Sequence, residues 1–348
     1  MRSEHSQIYK YLYSIIWLMS PKEMIWFKAF VTDEIRNFFK NKHIPEVRYG
    51  QFSFAGSCEN APTTYWIDKT NDFLMLPQTR QIMAEEDLIR NDLEAVFIMQ
   101  TSYRDEPKAG DGRHCRQFLL CELEQKNLSQ PALVDLEEEM IRYLIQKALD
   151  YFAKYPDITT NQNVARLKYW AAIEKYPRIS YTDIINKLHE RGVSINWGDD
   201  FSSTEEQFIC AMFYDIPVPV AVTDFPEKLK YFNMYERRDT IGQPNSTVEC
   251  CDFLLPYAGE TFGSSRREVD GMRIRYRFYN GSMYKQLKER LVSRPDVLTT
   301  EKADEIIHKA FEPYFKLFDT EVHDRAGFGM GVGRLAQFLL GSTTVIEI

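Results

Sequence analysis

The order of the predicted secondary-structure elements constrains the fold more than any other feature of this sequence. Apolar side chains recur at helical spacing over residues 21–40 and 136–152, which predicts two long amphipathic helices. Strand-like segments cluster together instead of alternating regularly with helices. They are predicted at residues 73–76, 95–103, 116–124, 218–223, 248–255 and 272–278. This segregation is typical of an α+β domain on an antiparallel sheet flanked by helices, and not of repeated β-α-β units.

Local signals mark the ends of further elements. The Ser180-x-x-Asp183 and Ser203-x-x-Glu206 pairs are typical of capping boxes that open helices, and Gly192 is placed to close the first of them. Further helices are predicted at residues 301–311 and 335–340.

Residues 272–278 are predicted to form a strand followed by a turn. Apolar and basic side chains alternate strictly there, and Asn280-Gly281 is a hairpin turn signal. We therefore expect a hairpin insertion at about residues 269–283, with three arginines on one face. They are Arg273, Arg275 and Arg277. Such a face could meet an RNA backbone, but a solvated hairpin is the favoured interpretation.

The composition limits the partners and the location of the protein. The chain has 348 residues, and its 43 basic and 51 acidic side chains give a net charge of −8. That charge works against bulk electrostatic binding to a polyanion. Six cysteines without a CxxC pair, and no predicted signal peptide, indicate reduced thiols in a cytoplasmic protein. The apolar run at residues 8–19 is too short to span a bilayer, so no membrane association is expected.

Polar side chains concentrate in three segments within strand-like surroundings. The first begins where Arg104 and Glu106 end a strand. A polar loop with Arg113 and His114 follows, and a returning strand holds Phe118. An aromatic ring can stack on a nucleotide base while cations meet the phosphates, so this hairpin is a candidate triphosphate site. Alternatively, Phe118 is a core residue and Arg104 is a surface charge.

The second segment places Asp252 and Glu260 on or beside an apolar strand. Buried carboxylates are unfavourable unless they meet a cation. Mg²⁺ bound to ATP would supply that cation, because it uses few carboxylates together with phosphate oxygens. Structural salt bridges to Arg266 and Arg267 are the alternative.

The third segment, residues 327–335, alternates glycines with other residues before Arg334 at a helix start. Alternating glycines let a strand backbone approach a ligand closely. The pattern satisfies neither GxxxxGK[ST] nor GxGxxG, which excludes a P-loop and a Rossmann fingerprint. A glycine-rich strand packed against a helix is the alternative that involves no ligand.

In this order, the three segments resemble the signature motifs of class II aminoacyl-tRNA synthetases, in the aspartyl- and asparaginyl-tRNA synthetase subclass. Residues 30–47 are similar to motif 1, residues 103–122 to motif 2 and residues 327–335 to motif 3. Several blocks between them follow the asparaginyl pattern. They lie at residues 176–181, 197–200, 222–226 and 259–268. The resemblance runs from about residue 25 to 342. It implies the class II synthetase fold as a single catalytic domain over residues 1–348, without an anticodon-binding domain.

The resemblance assigns roles by position. It implies ATP and Mg²⁺ as cofactors and an amino-acid carboxylate that attacks the α-phosphate. Arg104 and Arg334 are the implied catalytic residues. The implied ATP-binding residues are Arg104, Glu106, Arg113, His114, Phe118, Glu260 and Arg334. The implied amino-acid-binding residues are Gln78, Gln81, Glu122, Ser265 and Arg267, and the implied metal ligands are Asp252 and Glu260.

Several departures from the family pattern bear on function. Gln81 stands where aspartyl enzymes have a lysine that binds the substrate side chain. A neutral glutamine suits a neutral amide such as asparagine better than aspartate. Gly333 replaces the glutamate that precedes Arg334 in motif 3. The N-terminal anticodon-binding barrel and the final basic segment are also not found in this sequence.

Anticodon-free relatives of this subclass include an archaeal-type asparagine synthetase, which activates the aspartate side chain and lets ammonia attack. We therefore expect an ATP-dependent ligase that passes activated aspartate, asparagine or a related amino acid to an acceptor other than tRNA. A truncated asparaginyl-tRNA synthetase and a non-catalytic, amino-acid-binding regulator are the alternatives. A homodimer is also expected, because motif 1 forms the dimer interface in this family and the apolar stripe of the first helix exceeds what one sheet covers. The stripe consists of Phe27, Val31, Ile35 and Phe38.

Overall fold

The computed structural model describes residues 19–53, 61–67, 74–107, 109, 111–294, 297, 299–346 and 348. The described strands are β1 (Glu46–Val47), β2 (Ala95–Tyr103), β3 (Gln117–Lys126), β4 (Arg178–Ser180), β5 (Val220–Thr223), β6 (Cys250–Leu255), β7 (Gly259–Arg266) and β8 (Arg325–Gly331). The described α-helices are α1 (Pro21–Asn41), α2 (Gln81–Arg90), α3 (Gln130–Lys154), α4 (Asn161–Ala172), α5 (Tyr181–Glu190), α6 (Ser203–Cys210), α7 (Gly271–Asn280), α8 (Ser282–Val292), α9 (Thr300–Phe315) and α10 (Val332–Leu340).

One eight-stranded sheet organises the chain, with the strand order β1-β2-β3-β8-β7-β6-β5-β4. The inner pairs from β2 to β5 are antiparallel, whereas β1 pairs with β2 and β4 pairs with β5 in parallel. The α+β class is therefore confirmed, and the expected antiparallel sheet is mixed at its two edges. Helices lie between the two strands of each parallel pair: α2 between β1 and β2, and α5 and α6 between β4 and β5. Parallel neighbours are usually joined in this way.

Helices α1, α3 and α10 pack together and against the sheet to form the main hydrophobic core. Ser20 and Glu23 form a capping box that begins α1. Phe39 of α1 stacks on Phe97 of β2, with ring centroids 4.3 Å apart. The whole predicted stripe of α1 is buried within this one chain. It therefore leaves no surplus apolar surface, and the reasoning that derived a homodimer from it is wrong.

The predicted hairpin at residues 269–283 is wrong, because the chain forms the two helices α7 and α8 there. Asp270 caps α7 by accepting hydrogen bonds from the backbone N–H groups of Met272 and Arg273. Ile274 and Phe278, four residues apart, are buried in a second hydrophobic cluster with α8 and α9. A four-residue spacing satisfies a helix as well as a strand, so alternation alone misjudged this segment.

Arg275 lies on a different side of α7 from Arg273 and Arg277, which removes the alternative of a basic patch made of all three. Arg273 pairs with Glu236, and Arg275 lies 3.0 Å from a carboxylate oxygen of Asp319. Arg277 is buried and lies 2.7 Å from Glu227. The ion pairs are consistent with a helix, which points successive side chains in different directions.

Most other predicted boundaries lie within a few residues of the observed ones. Strand β2 has the predicted bounds, and α3 begins six residues earlier than expected, after the Ser129 cap. The second capping box is formed by Ser202 and Glu205, one residue before the predicted pair. Of the predicted strand at 73–76, residue 73 lies outside the described residues and Met75 forms only isolated bridges.

Two further expectations concern thiols and membranes. Four cysteines are buried thiols, which agrees with the reduced state inferred from the sequence; they are Cys121, Cys210, Cys250 and Cys251. Cys58 lies outside the described residues. Within the part of the chain that the structure describes, no helix is long and apolar enough to cross a bilayer. Residues 8–18 of the apolar run at 8–19 are not among the described ones.

Candidate active site

All but two of the predicted site residues line one cavity above the middle of the sheet. The cavity lies against the second half of β8, where Phe328, Gly329 and Gly331 line it, and continues to Gly333, two residues beyond the end of that strand. Phe118 and Glu122 both line it and stand four residues apart on one strand, β3, about 13 Å along its length, so the cavity has two separate ends. The predicted residues that line it are Gln81, Arg104, Glu106, Arg113, His114, Phe118, Glu122, Asp252, Glu260, Arg267 and Arg334. Gln78 and Ser265 are fully buried beside it.

The motif 2 strands bring a cation and an aromatic ring together at one end of the cavity. Arg104 follows β2, and Phe118 lies on β3 opposite Ser102. The guanidinium of Arg104 lies over the Phe118 ring, 5.1 Å from its centroid. This geometry holds the arginine beside an aromatic face on which a base can stack.

Two carboxylates contact residues 113 and 114 of the loop between these strands. Asp111 accepts hydrogen bonds of 2.8 Å from the backbone N–H groups of Arg113 and His114, and its other oxygen lies 2.7 Å from the His114 ring. The His114 contact and these N–H donors hold the pKa of Asp111 well below its usual range. Glu206 of α6 lies 2.5 Å from the Arg113 guanidinium. These contacts hold the Arg113 and His114 side chains at the cavity.

Arg334 provides a second cation at the same end. It lies in the first turn of α10 and donates to the backbone carbonyl oxygen of Glu260. Burial lowers its pKa, partly offset by the Glu260 carboxylate. The N-terminus of a helix carries positive potential, so arginine and helix act together on an anion placed there.

Asp252 already has a cationic partner in this structure. Both of its oxygens lie 2.6 Å from the Nζ of Lys230, a residue that the sequence analysis did not select. Although burial opposes the charged form of Lys230, Asp252 holds the pKa of that lysine above its ordinary value. Among the residues that the structure describes, no group of three or more histidines, cysteines and carboxylates is placed to hold a metal ion. Asp252 therefore fits Mg²⁺ only if Lys230 moves away, whereas Glu260 remains placed for a metal that arrives on phosphates.

Two buried ion pairs lie beside the other end of the cavity. Arg267 lies 2.5 Å from Glu124 and 2.5 Å from the Ser265 hydroxyl, and Arg325 lies 2.5 Å from Glu85. Burial alone would raise the pKa of Glu85, but Arg325 and Arg267 lower it below its ordinary value. Ser265 thus does not line the cavity, but its hydroxyl accepts a hydrogen bond that holds the Arg267 guanidinium in position.

Three predicted amino-acid-binding residues have partners near these pairs. The Gln81 amide donates to Glu85 at 2.9 Å. Glu122 accepts hydrogen bonds from the Thr79 hydroxyl and from the backbone N–H of Arg80 at 3.1 Å. Gln78 donates to the Thr63 hydroxyl at 3.0 Å, away from the cavity. Gln81 and Glu122 are therefore the two that a ligand can reach directly.

Comparisons with known proteins identify the family of this chain. Residues 6–348 match the family described as tRNA synthetases class II (D, K and N). The chain belongs to this family. It is 27% identical over 286 residues to the asparagine–tRNA ligase of Thermococcus kodakarensis, covering 82% of this chain and 58% of that protein. It is 25% identical over 335 residues to the asparagine–tRNA ligase of Pelotomaculum thermopropionicum, covering 95% and 69%.

Solved structures share the fold. Asparaginyl-tRNA synthetase from Pyrococcus horikoshii, complexed with asparaginyl-adenylate, superposes with a TM-score of 0.75 at 24% identity, covering 92% of this chain and 66% of that one. Aspartyl-tRNA synthetase from Entamoeba histolytica has a TM-score of 0.65 at 17% identity, covering 92% and 56%. This chain spans 58% of the length of the archaeal ligases, so it corresponds to part of such proteins.

Proposed function

We propose that this protein is an ATP-dependent ligase that converts an amino acid of the asparagine and aspartate group into an acyl-adenylate. The observation that carries the proposal is that two arginines line the same cavity. Arg104 is held over the Phe118 ring, and Arg334 lies at the start of α10. Both cations flank the position at which an α-phosphate would gain negative charge if the base stacks on Phe118. Fixed cations aimed at developing charge are the main source of rate enhancement in such transfers.

The chemistry needs positioning more than proton transfer. The substrate carboxylate is already a nucleophile, so it attacks the α-phosphorus, a new acyl–phosphate bond forms, and the bond to pyrophosphate breaks. A general base is therefore not required, and holding the two reactants in line provides most of the effect. Arg104 and Arg334 neutralise the α-phosphate, while Arg113 and His114 are placed for the outer phosphates. Mg²⁺, when bound with ATP, would supply further charge neutralisation, and Glu260 is the carboxylate that would hold it.

The charge balance at the amino-acid end favours a neutral side chain. Arg267 is already neutralised by Glu124, and the Gln81 amide contributes no cation. The side-chain carboxylate of a bound aspartate would also lie near the Glu122 carboxylate, while Arg267 is already paired with Glu124. Asparagine, whose amide can both donate to a carboxylate and accept from Gln81, fits better than aspartate.

The acceptor of the acyl group has two candidates. The curated relatives are asparagine–tRNA ligases, which favours tRNA over the ammonia-type acceptor that the sequence favoured. We therefore propose tRNA as the first candidate. The second candidate, a small amine such as ammonia, is supported by the net charge of −8 and by the carboxylate-paired arginines of α7.

A charging assay separates these acceptors. The protein is incubated with ATP, radiolabelled asparagine or aspartate, and either total tRNA or ammonium at near-physiological salt. Acid-stable, base-labile label on tRNA supports the first candidate, and amide product without RNA supports the second. The Arg104→Ala variant is the control, because it removes a cation of the adenylation step common to both. Failure of both products, with AMP release intact, would require a different acceptor.

We also propose a homodimer, on grounds other than the buried stripe. Ile25 and Trp26 on the outer face of α1 are 67% and 63% exposed, although both are large and apolar. Light scattering is expected to give twice the chain mass of 41.0 kDa. Trp26→Glu should yield monomers, whereas Lys40→Ala on an exposed position of the same helix should not. A monomeric mass for the unaltered protein at micromolar concentration would contradict the proposal.

A further inference from the structure

A short segment after α10 forms one wall of the cavity. Gly341 ends α10 in the left-handed region with φ at +68° and turns the chain back toward the sheet. Four and five residues later, Val345 and Ile346 line the cavity beside Arg334. Ile346 is 6% exposed and belongs to the main core, so this wall is packed and not loosely attached. We call residues 341–346 the return segment.

Gly333 makes room for the return segment. A Cβ atom at this position would collide with the backbone carbonyl oxygen of Ile346 and lie 3.3 Å from the Cγ2 of Val345. A collision with backbone cannot be relieved by rotating a side chain, so a larger residue at position 333 forces the return segment to move. The family pattern has a glutamate here. A chain with that glutamate could not carry its following segment along this path.

The return segment is also attached to the loop that carries Arg113 and His114. The Val345 backbone N–H donates to the carbonyl oxygen of Gly112 at 2.8 Å. Gly112 has φ at +83°, and a Cβ there would come within 3.1 Å of the Thr344 Cγ2. Glycines on two separate elements, one on the loop and one in α10, therefore accommodate the same segment.

We propose that the return segment determines how tightly the site binds the nucleotide, a role that rests on the adenylation function proposed above. Val345 and Ile346 form an apolar wall next to Arg334, on the side of the cavity where Phe118 offers a stacking face. Such a wall suits a flat purine ring, and it keeps water away from the arginine that meets the α-phosphate. The bond to Gly112 fixes the loop whose side chains reach the outer phosphates.

The proposal makes ATP binding sensitive to the return segment and amino-acid binding insensitive to it. Gln81 lies beside Glu122, to which Thr79 links it by hydrogen bonds, and Glu122 is about 13 Å along β3 from Phe118. Arg267 hydrogen-bonds through its backbone to Arg325, at the other end of β8 from Gly333. A displaced return segment therefore changes the Kd for ATP without changing the Kd for asparagine. A general loss of folding would instead weaken the binding of both ATP and asparagine.

Two variants test the return segment by different means. Gly333→Glu introduces the family residue and displaces the segment by collision. Val345→Asp leaves Gly333 unchanged and replaces part of the wall with a negative charge that repels phosphates. Val345→Ile is the conservative counterpart, and Thr343→Ala alters an exposed residue of the same segment. Calorimetric titration with ATP alone, and separately with asparagine, gives each Kd without requiring turnover, and thermal unfolding verifies folding.

We expect both disruptive variants to raise the Kd for ATP about tenfold, the loss typical when one buried apolar side chain is exposed. The Kd for asparagine should stay within about twofold, and the two control variants should bind both ligands as the unaltered protein does. If Gly333→Glu does not fold, Val345→Asp decides the result alone. Unchanged ATP binding in the folded disruptive variants would overturn the role of the return segment while leaving adenylation intact. Failure of the unaltered protein to bind ATP would overturn adenylation itself, and this role with it.

Discussion

Gln81→Lys should shift the substrate preference from asparagine toward aspartate. Gln81 lines the cavity at its amino-acid end, where its amide donates to Glu85 at 2.9 Å. The neighbouring arginine, Arg267, is already paired with Glu124 at 2.5 Å. A lysine at position 81 adds a cation that this end lacks, in the position where aspartyl enzymes have one.

The size of the shift in substrate preference depends on the hydrogen bond between the new ammonium and the aspartate side chain. It also depends on how strongly Glu85 competes for that ammonium. A hydrogen bond to a charged group contributes about 1.5–3 kcal/mol, which corresponds to roughly 10- to 150-fold in selectivity. Glu85 will compete for the new ammonium, although its charge is already balanced by Arg325. We therefore expect the lower end, about a tenfold increase in the ratio of kcat/KM for aspartate over asparagine.

The assay is pyrophosphate exchange with each amino acid at saturating ATP. Gln81→Met is the matched control, because methionine has a similar length but neither charge nor amide. It should lower activity with asparagine without improving aspartate. If Gln81→Lys folds and leaves the ratio unchanged, Gln81 does not face the substrate side chain, and the assignment of the two cavity ends would be wrong.

Three further predictions concern catalysis and stability. Arg104→Ala and Arg334→Ala should each reduce pyrophosphate exchange by about 10²–10³-fold while thermal unfolding stays near that of the unaltered protein, since each removes a fixed cation from the reacting phosphate; near-native exchange would contradict the motif assignment. Glu137 is fully buried, and burial raises its pKa to about 8 from 4.5. The folded state therefore retains a proton that the unfolded state releases, and stability is lost as pH rises from about 4.5 to about 8, by up to about 1.4 kcal/mol per pH unit. Glu137→Gln should consequently raise the Tm at pH 8 more than at pH 5, and an equal shift at both would exclude this origin. Arg325→Met removes the cation that is hydrogen-bonded to the buried Glu85 carboxylate and should lower the free energy of unfolding by about 3–5 kcal/mol in urea titrations, whereas an unchanged value would show that Glu85 is neutral in the folded protein.

Local sequence patterns predicted the fold well where one periodicity dominates. The bounds of β2 and the position of α1 agree with the segments predicted from the sequence. The same method misjudged α7, because Ile274 and Phe278 fit both periods and the decision depends on aromatic partners distant in the chain. Phe278 lies 4.5 Å from Phe311 by ring centroids, a contact that local patterns do not contain. Asp270 before Gly271 was the available local signal for a helix start.

The candidate site was selected through ordered motifs rather than through any single residue, and it stays a prediction. Motif spacing selected side chains from β3, β7 and α10 that the sheet then brings to one cavity. Lys230 was missed because its pairing with Asp252 depends on the approach of an irregular segment to β6. The return segment was missed for the same reason. Gly333 did draw attention as a departure, but only the fold shows what occupies the space of the absent side chain.

The central claim is that this chain makes an acyl-adenylate, and ATP–pyrophosphate exchange measures that step directly. The assay is run with the unaltered protein, Mg²⁺ and each of the common amino acids in turn, without tRNA or ammonia. We predict exchange that depends on asparagine, with aspartate clearly weaker and other amino acids at background. Exchange at background with every amino acid, from protein shown to be folded by circular dichroism, would contradict the claim.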